Sequence, residues 1–402
     1  MNLIHILYVV LQILLMAGTG LPVLYLFIFA VAGLFYRQRA YPLPPAFSRI
    51  AVLIPAYKED EVIGEVARDA LLQDYPETNY DVIIIADSFQ PATLDYLHTL
   101  RVKVIEVSFD KSTKSKALNK AMAQLPDIYD IAVVLDADNL MARDFLSGMN
   151  ASFASGFTAV QGHRTAKNTD TSLAILDAAS EEINNHIFRK GHRALGLSSA
   201  IIGSGMAFRY AFFKNLMLTV SATGGFDKEI ELKLLKEGLT IEYHDDALVY
   251  DEKVQKAEVF TNQRRRWLSA QAIYFRKDFI SAVKALITRG NIDYFDKILQ
   301  FIQPPRVLLL GMTVMMGIFF VILNSVVGFS WIWNYIWIGI VLLCVLALLF
   351  ALPRKMYSMK TLVALASLPR GMILMAGSLL KIKGANKQFL HTSHSAKGGS
   401  ES

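Results

Sequence analysis

The sequence predicts an α/β domain with a mostly parallel sheet, helices on both faces, and flanking transmembrane and interfacial α-helices. Three observations predict this architecture. Apolar runs alternate with helix-like segments between residues 49 and 250, the pattern of buried parallel strands. Two long stretches, residues 1–36 and 307–353, contain no Lys, Arg, Asp or Glu. Charged residues make up only 19% of the chain, against about 25% in soluble domains.

The first apolar stretch predicts one long membrane anchor, with Gly18, Gly20 and Pro22 able to kink it. A cleaved signal peptide is the alternative, because Ala30-Val31-Ala32 resembles a cleavage site. Two features argue against cleavage: no basic residue precedes the run, and the run is longer than the apolar core of a signal peptide. The anchor is therefore the favoured interpretation.

The second apolar stretch has room for two spans of about 20 residues each, broken near residues 328–330. Aromatic residues follow this break, where an interfacial belt is expected; they are Trp331, Trp333, Tyr335 and Trp337. Residues 361–382 are apolar but interrupted by Pro369 and Arg370, and we expect an interfacial helix there rather than a further span.

Basic residues flank the apolar stretches and predict the topology, since short loops rich in Lys and Arg stay in the cytoplasm. We therefore expect a multi-pass protein of the cell (inner) membrane with its central domain cytoplasmic. The predicted parts are an N-terminal anchor (1–40), the cytoplasmic domain (41–267), amphipathic interfacial helices (268–304), two transmembrane helices (305–353), and an interfacial or further membrane segment with a basic tail (354–402).

The net charge of +6 and the single cysteine, Cys344, exclude some classes of site. No basic groove interleaved with aromatics is present, so no nucleic-acid partner is expected. One cysteine permits neither a disulfide nor a zinc site built from thiolates within the chain, as expected of a cytoplasmic domain.

Within the central domain, strands and helices alternate. The predicted strands are 50–55, 81–86, 102–107 and 131–135, and the predicted helices are 59–72, 91–100 and 115–125. Ligands of such sheets bind beyond the carboxyl ends of the strands. Three of the four strands end in polar or aromatic residues suited to a site, namely Tyr57, Asp87, and Asp136 with Asp138.

Asp136 and Asp138 are separated by one residue directly after a buried strand. Two carboxylates so placed can hold a hard divalent cation that also binds a diphosphate. A capping or solvated turn is the alternative, but the preceding apolar strand favours the metal. Asp87 can accept hydrogen bonds from a ribose or base, and Lys114 opens a helix whose amides favour phosphate; taken singly, each is more often a surface residue.

Two further segments carry charge. Gly224 and Gly225 precede Asp227 and Glu229 at a helix start, where one carboxylate can act as general base or merely complement the helix dipole. The segment from Gln263 to Trp267 offers an indole for stacking and arginines for phosphate, or equally an interfacial basic cluster.

Taken together, these elements resemble the family 2 inverting glycosyltransferases, and especially the membrane-bound branch of cellulose, chitin and hyaluronan synthases. The resemblance covers residues 48–270, and its most specific part is the Gln-x-x-Arg-Trp element. It implies a GT-A-like fold, a nucleotide-sugar donor with UDP favoured, a saccharide or lipid-linked acceptor, contact with membrane lipid, and Mg²⁺ or Mn²⁺. Protein partners are not predicted.

The resemblance also implies roles for individual residues. Donor binding falls to Pro55, Tyr57, Glu59, Asp87, Lys114 and Asp136; metal binding to Asp138 with Asp136; and the acceptor side to Gly203, Ser204, Gly205, Gln263, Arg266 and Trp267. His391, Thr392 and His394 resemble a C-terminal element of the family that returns near the active site.

One departure from the family pattern affects the catalytic base. The base is usually the Asp of a Thr-Glu-Asp triplet, which reads Asp227-Lys228-Glu229 here. Glu229 falls on the base position and Asp227 is the second candidate. The change motivates an alternative, a catalytically inactive membrane protein that binds nucleotide sugars. A nucleotidyltransferase is a third interpretation, which needs no acceptor-stacking Trp.

Overall fold

A computed structural model of the chain describes residues 3–42, 44–222, 224–255 and 257–381. The strands are β1 (Ile50–Tyr57), β2 (Tyr80–Asp87), β3 (Val102–Val107), β4 (Ile131–Val134), β5 (Leu140–Met141), β6 (Ala159–Ala166), β7 (Met206–Arg209) and β8 (Ile241–Asp251). The first helices are α1 (Leu3–Leu34), α2 (Ile63–Ala70), α3 (Pro91–His98), α4 (Lys114–Gln124), α5 (Phe145–Ala154), α6 (Ser172–Asn185) and α7 (His192–Ala194). They are followed by α8 (Tyr210–Met217), α9 (Phe226–Lys236), α10 (Ala257–Arg289), α11 (Ile292–Ile302), α12 (Arg306–Val327), α13 (Trp331–Ala351), α14 (Met359–Leu365) and α15 (Leu368–Leu380).

The eight strands form one sheet in the order β3-β2-β1-β4-β7-β6-β8-β5. The strands from β3 to β4 are parallel, which confirms the prediction for the first half. In the second half, β7 runs antiparallel to both β4 and β6, while β6 and β8 are parallel to each other. The sheet is therefore mixed but mostly parallel, with the carboxyl ends of β1, β2 and β4 together at one edge.

Apolar side chains cover both faces of this sheet. One core packs α4, α8, α9, α10 and α11 against it, and the other packs α2, α3 and α5. Ile50 to Ile54 in β1 are completely buried, and burial of one large aliphatic side chain contributes about 1.5–3 kcal/mol. These two cores hold the strand ends in fixed positions.

Within the part of the chain that the structure describes, three helices are long and apolar enough to span a membrane: α1, α12 and α13. α1 is continuous through Pro22, in keeping with the predicted single long anchor, and α12 and α13 are separated at residues 328–330 as expected. The pair α14 and α15 is bent by 51°, which allows a fourth, broken span in addition to the interfacial placement we expected.

A polar cluster joins these spans. Gln12 is completely buried in α1, and its side chain exchanges hydrogen bonds with Asn324 of α12 (3.1 Å in each direction) and accepts one from the indole of Trp337 in α13 (3.1 Å). Trp337 is fully buried and stacks on Phe320. The expectation that Trp337 belongs to an aromatic belt at the membrane surface is therefore wrong. Its indole N–H instead donates to Gln12 between the helices.

The sheet domain is docked on these spans through α6, the π-helical turn His186–Gly191 and α11. The hydroxyl of Tyr25 in α1 donates to Asp296 of α11 at 2.7 Å. Lys355, just beyond α13, pairs with Glu182 of α6 at 2.9 Å. The predicted division at residue 267 falls inside α10, which continues as one helix to Arg289.

His163 of β6 links the sheet to α6 and gives the fold a pH dependence. Its ring contacts Glu182 at 3.1 Å and Asp245 at 2.9 Å. Burial would lower the pKa of His163, but hydrogen bonds and charges from Asp245 and Glu182 raise it to about 9. A group whose pKa is raised on folding contributes stability that is complete below its ordinary value near 6.5 and is lost as the pH rises through about 9.

We therefore expect the melting temperature in detergent to fall between pH 7 and pH 10, and to fall less in His163→Gln. The matched control is His98→Gln, because His98 lies exposed on α3. Differential scanning fluorimetry across this pH range makes the comparison. Equal slopes for the wild type and both variants would show that His163 is not the titrating group.

Candidate active site

A cavity of about 760 Å³ opens beyond the carboxyl ends of β1, β2 and β4. It brings together twelve of the fifteen residues predicted from the sequence; eleven of them are Pro55, Tyr57, Glu59, Asp87, Lys114, Asp136, Asp138, Gly203, Gln263, Arg266 and Trp267. Asp227 also lines it, whereas Ser204, Gly205 and Glu229 do not. The segments found in the sequence thus meet in space, although they are up to about 200 residues apart along the chain.

Asp87 and Glu59 form the end of the cavity near β1 and β2. Both are buried, and the hydroxyl of Ser88 donates to Asp87 at 2.9 Å. Lys58 and Ser88, which follow directly after the two strands, have φ angles of 54° and 62°. Residues other than glycine rarely adopt a positive φ, and backbone strain of this kind concentrates at binding sites. Neither position was singled out from the sequence.

Lys114 is the first residue of α4 and lines the cavity. The helix start is capped by Thr113, whose side chain accepts from the amide of Lys116 at 3.2 Å. The ammonium group of Lys114 contacts Asp136 at 2.5 Å and the carbonyl oxygen of Gly203 at 2.8 Å. It therefore joins the end of β4 to the loop before β7.

A buried network holds the turn that carries Asp136 and Asp138. The amide of Asp136 donates to the Ser204 hydroxyl at 3.0 Å, and Ser204 in turn donates to Asn139. Ser204 is completely buried and Gly205 packs on Val249, so both lie behind the cavity wall. Of these three residues, Gly203 alone lines the cavity, since the other two support the turn.

Arg164 and its carboxylate partners were missed in the sequence, because the polar strand β6 was not recognised. Arg164 contacts Glu181 at 2.6 Å, Asp251 at 3.6 Å and Asp136 at 3.9 Å, and Lys253 pairs with both Glu181 and Asp251. Burial would lower the pKa of Arg164, but Asp251, Glu181 and Asp136 raise it instead. A permanent cation is thereby held next to Asp136.

Asp227 and Glu229 point in different directions, because residues two positions apart lie on opposite sides of a helix. Asp227 lines the cavity and faces Gly203: a Cβ placed on that glycine would lie 3.7 Å from the Asp227 carboxyl carbon. Glu229 is buried, pairs with Lys233 at 3.1 Å, and lies 3.5 Å from the hydroxyl of Tyr274. The residue expected as base from the resemblance thus does not reach the cavity.

Gly225 sets the position of α9 relative to α10. Its φ is +71°, and a Cβ there would lie 2.8 Å from the Cβ of Ala270 in α10. Only glycine combines this backbone with so close an approach. The turn therefore brings the start of α9, with Asp227, against the helix that carries Trp267.

Three residues of α10 present one face to the cavity: Gln263, Arg266 and Trp267. They are three and four positions apart, so they share one side of the helix. Burial lowers the pKa of Arg266, while the charge of Asp136 opposes that change, which shows that Arg266 lies within electrostatic reach of the two-aspartate turn. Trp267 remains 37% exposed, so part of its ring can contact a ligand although the guanidinium of Arg264 lies 4.4 Å from the ring centre.

The donor set fits a divalent cation that is shared with a substrate. Among the residues that the structure describes, no group of three or more His, Cys, Asp or Glu side chains could hold a metal alone. Asp136 and Asp138 supply two hard carboxylates beside Lys114 and Arg266, and Mg²⁺ is commonly held by one or two carboxylates plus substrate phosphates. The residues fit Mg²⁺ or Mn²⁺ on that basis. His391, Thr392 and His394 lie outside the described residues.

Comparison with known proteins agrees with this geometry. A family model described as "Glycosyltransferase like family 2" matches residues 45–270. The beta-monoglucosyldiacylglycerol synthase of Synechocystis sp. is 26% identical over 235 residues, covering 55% of this chain and 47% of that protein. The probable glycosyltransferase YdaM of Bacillus subtilis is 25% identical over 244 residues, covering 58% and 56%. The chain spans about half the length of these curated relatives.

A solved structure shares the fold. The mannosyltransferase PcManGT of Pyrobaculum calidifontis, in complex with GDP-Man and Mn²⁺, is similar with a TM-score of 0.51 and 18% identity. The match covers 84% of this chain and 97% of that one. The similarity therefore extends beyond the sheet domain.

Proposed function

Because the chain belongs to glycosyltransferase-like family 2, we propose that it transfers a sugar from a nucleotide-sugar donor, with UDP favoured, to a saccharide or lipid-linked acceptor at a membrane surface. One observation carries the proposal: Asp87, Asp138, Asp227 and Trp267 line a single cavity at the ends of the strands. The names of the relatives, a glycolipid synthase and a mannosyltransferase bound to GDP-Man and Mn²⁺, support the reaction class.

Donor binding divides along the cavity. The nucleoside is assigned to Tyr57, Glu59 and Asp87. Two of these residues are acidic and can accept hydrogen bonds from the hydroxyl groups of the ribose or the N–H groups of the base. Lys114 and Arg266 are assigned to the diphosphate, because both cations lie near Asp136. Arginine binds phosphate with two parallel hydrogen bonds where geometry permits.

Asp136 and Asp138 are assigned to Mg²⁺ or Mn²⁺. When bound, the ion supplies positive charge to the diphosphate as it leaves. Lys114 would then exchange its contact with Asp136 for the donor phosphates. Arg164 remains behind Asp136 and holds that carboxylate in place.

The transfer is proposed as a single in-line displacement with inversion at the anomeric carbon. Asp227 takes the proton from the acceptor hydroxyl. The acceptor oxygen forms the new bond to the anomeric carbon, and the bond to the diphosphate oxygen breaks with its electron pair leaving on the nucleoside diphosphate. Trp267 stacks on the acceptor. Positioned general bases typically contribute about 10²–10⁴-fold to such steps.

We place the cavity at the cytoplasmic face of the inner membrane, in a multi-pass protein. Arg306 begins α12, and Arg354 and Lys355 follow α13, on the side where Lys355 pairs with Glu182 of the sheet domain. Basic residues next to spans favour the cytoplasmic side. The arrangement supports acceptor access from the lipid.

Activity can be tested on the full chain purified in detergent. A panel of UDP- and GDP-sugars with Mn²⁺ is offered, and release of nucleoside diphosphate is measured. We expect turnover with at least one donor. Donor binding without turnover for every donor, with and without lipid acceptors, would support the catalytically inactive alternative that Lys228 and the buried Glu229 motivate.

A further inference from the structure

Three arginines contact α6 where the sheet domain meets the spans. Arg189 comes from the π-helical turn, Arg264 from α10 and Arg306 from the first position of α12. We call them the distal arginine cluster. Arg264 pairs with Asp177, Arg306 donates to Ser180 one turn further along α6, and Arg189 donates to Asn185 at the end of that helix. The three guanidinium groups therefore lie along one helix, and the charges of Arg264 and Arg189 act on Arg306.

Carboxylates compensate this cluster only in part. Arg264 pairs with Asp177. Arg189 is 1% exposed and donates to the carbonyl oxygen of Ala200 at 3.1 Å and to the side chain of Asn185 at 2.6 Å. Arg306 donates to Ser180 alone, at 2.9 Å and 3.1 Å. Within the described residues, neither Arg189 nor Arg306 has a carboxylate in salt-bridge contact.

The neighbouring carboxylates already have cations of their own. Glu181 pairs with Arg164 and Lys253, and Glu231 pairs with Lys297 at 2.7 Å. Burial lowers the pKa of Arg189, and the more distant charges of Glu181 and Glu231 oppose that change only in part. Burying a charge without a partner is unfavourable. Among the described residues, Arg189 and Arg306 thus remain without an ion-pair partner, which leaves their positive charge available to an anion.

The cavity gives a ligand access to this charge. Arg189 and Arg264 both line it, while Arg306 lies behind them. The Nε atom of Arg264 and the Nη1 atom of Arg306 are buried without hydrogen-bond partners. The guanidinium of Arg264 also lies 4.4 Å from the ring centre of Trp267, the residue assigned to the acceptor. An anion held here is thus adjacent to the acceptor position.

The donor diphosphate does not account for this cluster. Lys114 and Arg266 already face the turn with Asp136 and Asp138, whereas Arg189 and Arg264 line the wall next to α6 and α12. Two separate sets of cations on one cavity indicate two separate anionic groups.

We propose that the distal arginine cluster binds a phosphate group carried by the acceptor, so that the acceptor is a phosphorylated molecule. This inference rests on the proposed function, because it assigns a chemistry to that acceptor. Guanidinium groups match phosphate oxygens in geometry and charge. Arg306 begins a candidate span, which favours a phospholipid over a soluble phosphate ester as the source.

The test measures binding apart from catalysis. The full chain is placed in phosphatidylcholine nanodiscs containing a small fraction of phosphatidic acid or of diacylglycerol, and bound lipid is quantified by native mass spectrometry. Glycerol 3-phosphate serves as the soluble arm. We expect phosphatidic acid to bind and Arg264→Gln to weaken its binding by about tenfold or more. Arg276→Gln is the matched control, because Arg276 is an exposed arginine of the same helix.

A variant that is expected to bind more tightly distinguishes loss of the phosphate site from misfolding. Asp177→Asn removes the one carboxylate paired with the cluster, and we expect it to bind phosphatidic acid more tightly than the wild type. Binding of glycerol 3-phosphate as tight as that of phosphatidic acid would support the phosphate site and assign it a soluble source.

Two outcomes would overturn the inference. In the first, phosphatidic acid and glycerol 3-phosphate bind no better than diacylglycerol. In the second, Arg264→Gln and Arg276→Gln weaken the binding of phosphatidic acid equally. Donor hydrolysis to water is measured on the same samples. If hydrolysis persists without phosphate binding, the acceptor assignment fails while the proposed function stands. Phosphate binding without hydrolysis supports the site and counts against the proposed function.

Discussion

Asp138→Asn is expected to lower donor turnover by about a thousandfold or more, because a carboxylate that holds the divalent cation contributes several kcal/mol to stabilising the departing diphosphate. Asp138 is 6% exposed and lies in the turn four residues beyond the end of β4. Its replacement by the isosteric amide removes the charge and keeps the volume. Release of nucleoside diphosphate with Mn²⁺ as the varied component measures the loss.

The matched control for this variant is Asp144→Asn. Asp144 is exposed, precedes α5 and makes no capping hydrogen bond, so its replacement should leave turnover unchanged. Calorimetric titration of Mn²⁺ in the presence of UDP separates ion binding from chemistry, and we expect binding to weaken only in Asp138→Asn. Full activity of that variant, with unchanged dependence on Mn²⁺, would refute the assignment of Asp138 to the ion.

The sequence predicts which residues line the cavity at the ends of β1, β2 and β4, because they follow apolar strands. The runs that become β1, β2 and β4 have no competing interpretation, and parallel strands bring their carboxyl ends to one edge. Asp87, Asp136 and Asp138 are therefore placed together by local pattern and topology. Lys114 follows, since it begins the helix after β3.

The far side of the cavity is predicted less completely. β6 and β8 are polar at their carboxyl ends, so the pairing of Arg164 with Asp251 and Glu181 leaves no periodic signal. Arg189 and Arg306 give no periodic signal either. Their role in the proposed phosphate site depends on the absence of a paired carboxylate among the described residues. Such features arise from packing between elements distant in sequence, and no pattern within one segment indicates them.

The start of α9 is the clearest case in which the spacing of residues along the chain predicts one site residue and the geometry of the helix favours another. Alignment of the triplet favours Glu229 as base, but a helix rotates by about 100° per residue, so positions two apart face opposite ways. Asp227 and Glu231 are four apart and both line the cavity. Glu231 pairs closely with Lys297, at 2.7 Å, and accepts from the amide of Ile201. The contact of Asp227 with Lys228 is longer, at 3.6 Å, so Asp227 is the carboxylate that we propose as the base.

Asp227→Asn should therefore lower kcat by about 10²–10⁴-fold, the usual contribution of a positioned base, with little change in affinity for the nucleoside diphosphate. Asparagine cannot accept the acceptor proton but occupies the same space beside Gly203. Single-turnover rates with a saturating donor, together with calorimetric titration of UDP, separate the chemical step from binding.

Glu229→Gln is the matched comparison on the same helix turn. Because Glu229 is buried against Lys233 and Tyr274, we expect this variant to lower the melting temperature while retaining most of the single-turnover rate of the folded protein. Loss of a charge partner at such a site typically costs about 1–3 kcal/mol. The opposite result would be a stable but inactive Glu229→Gln variant together with an active Asp227→Asn variant. It would contradict the assignment of Asp227, because α9 would have to rotate during the reaction to bring Glu229 to the acceptor.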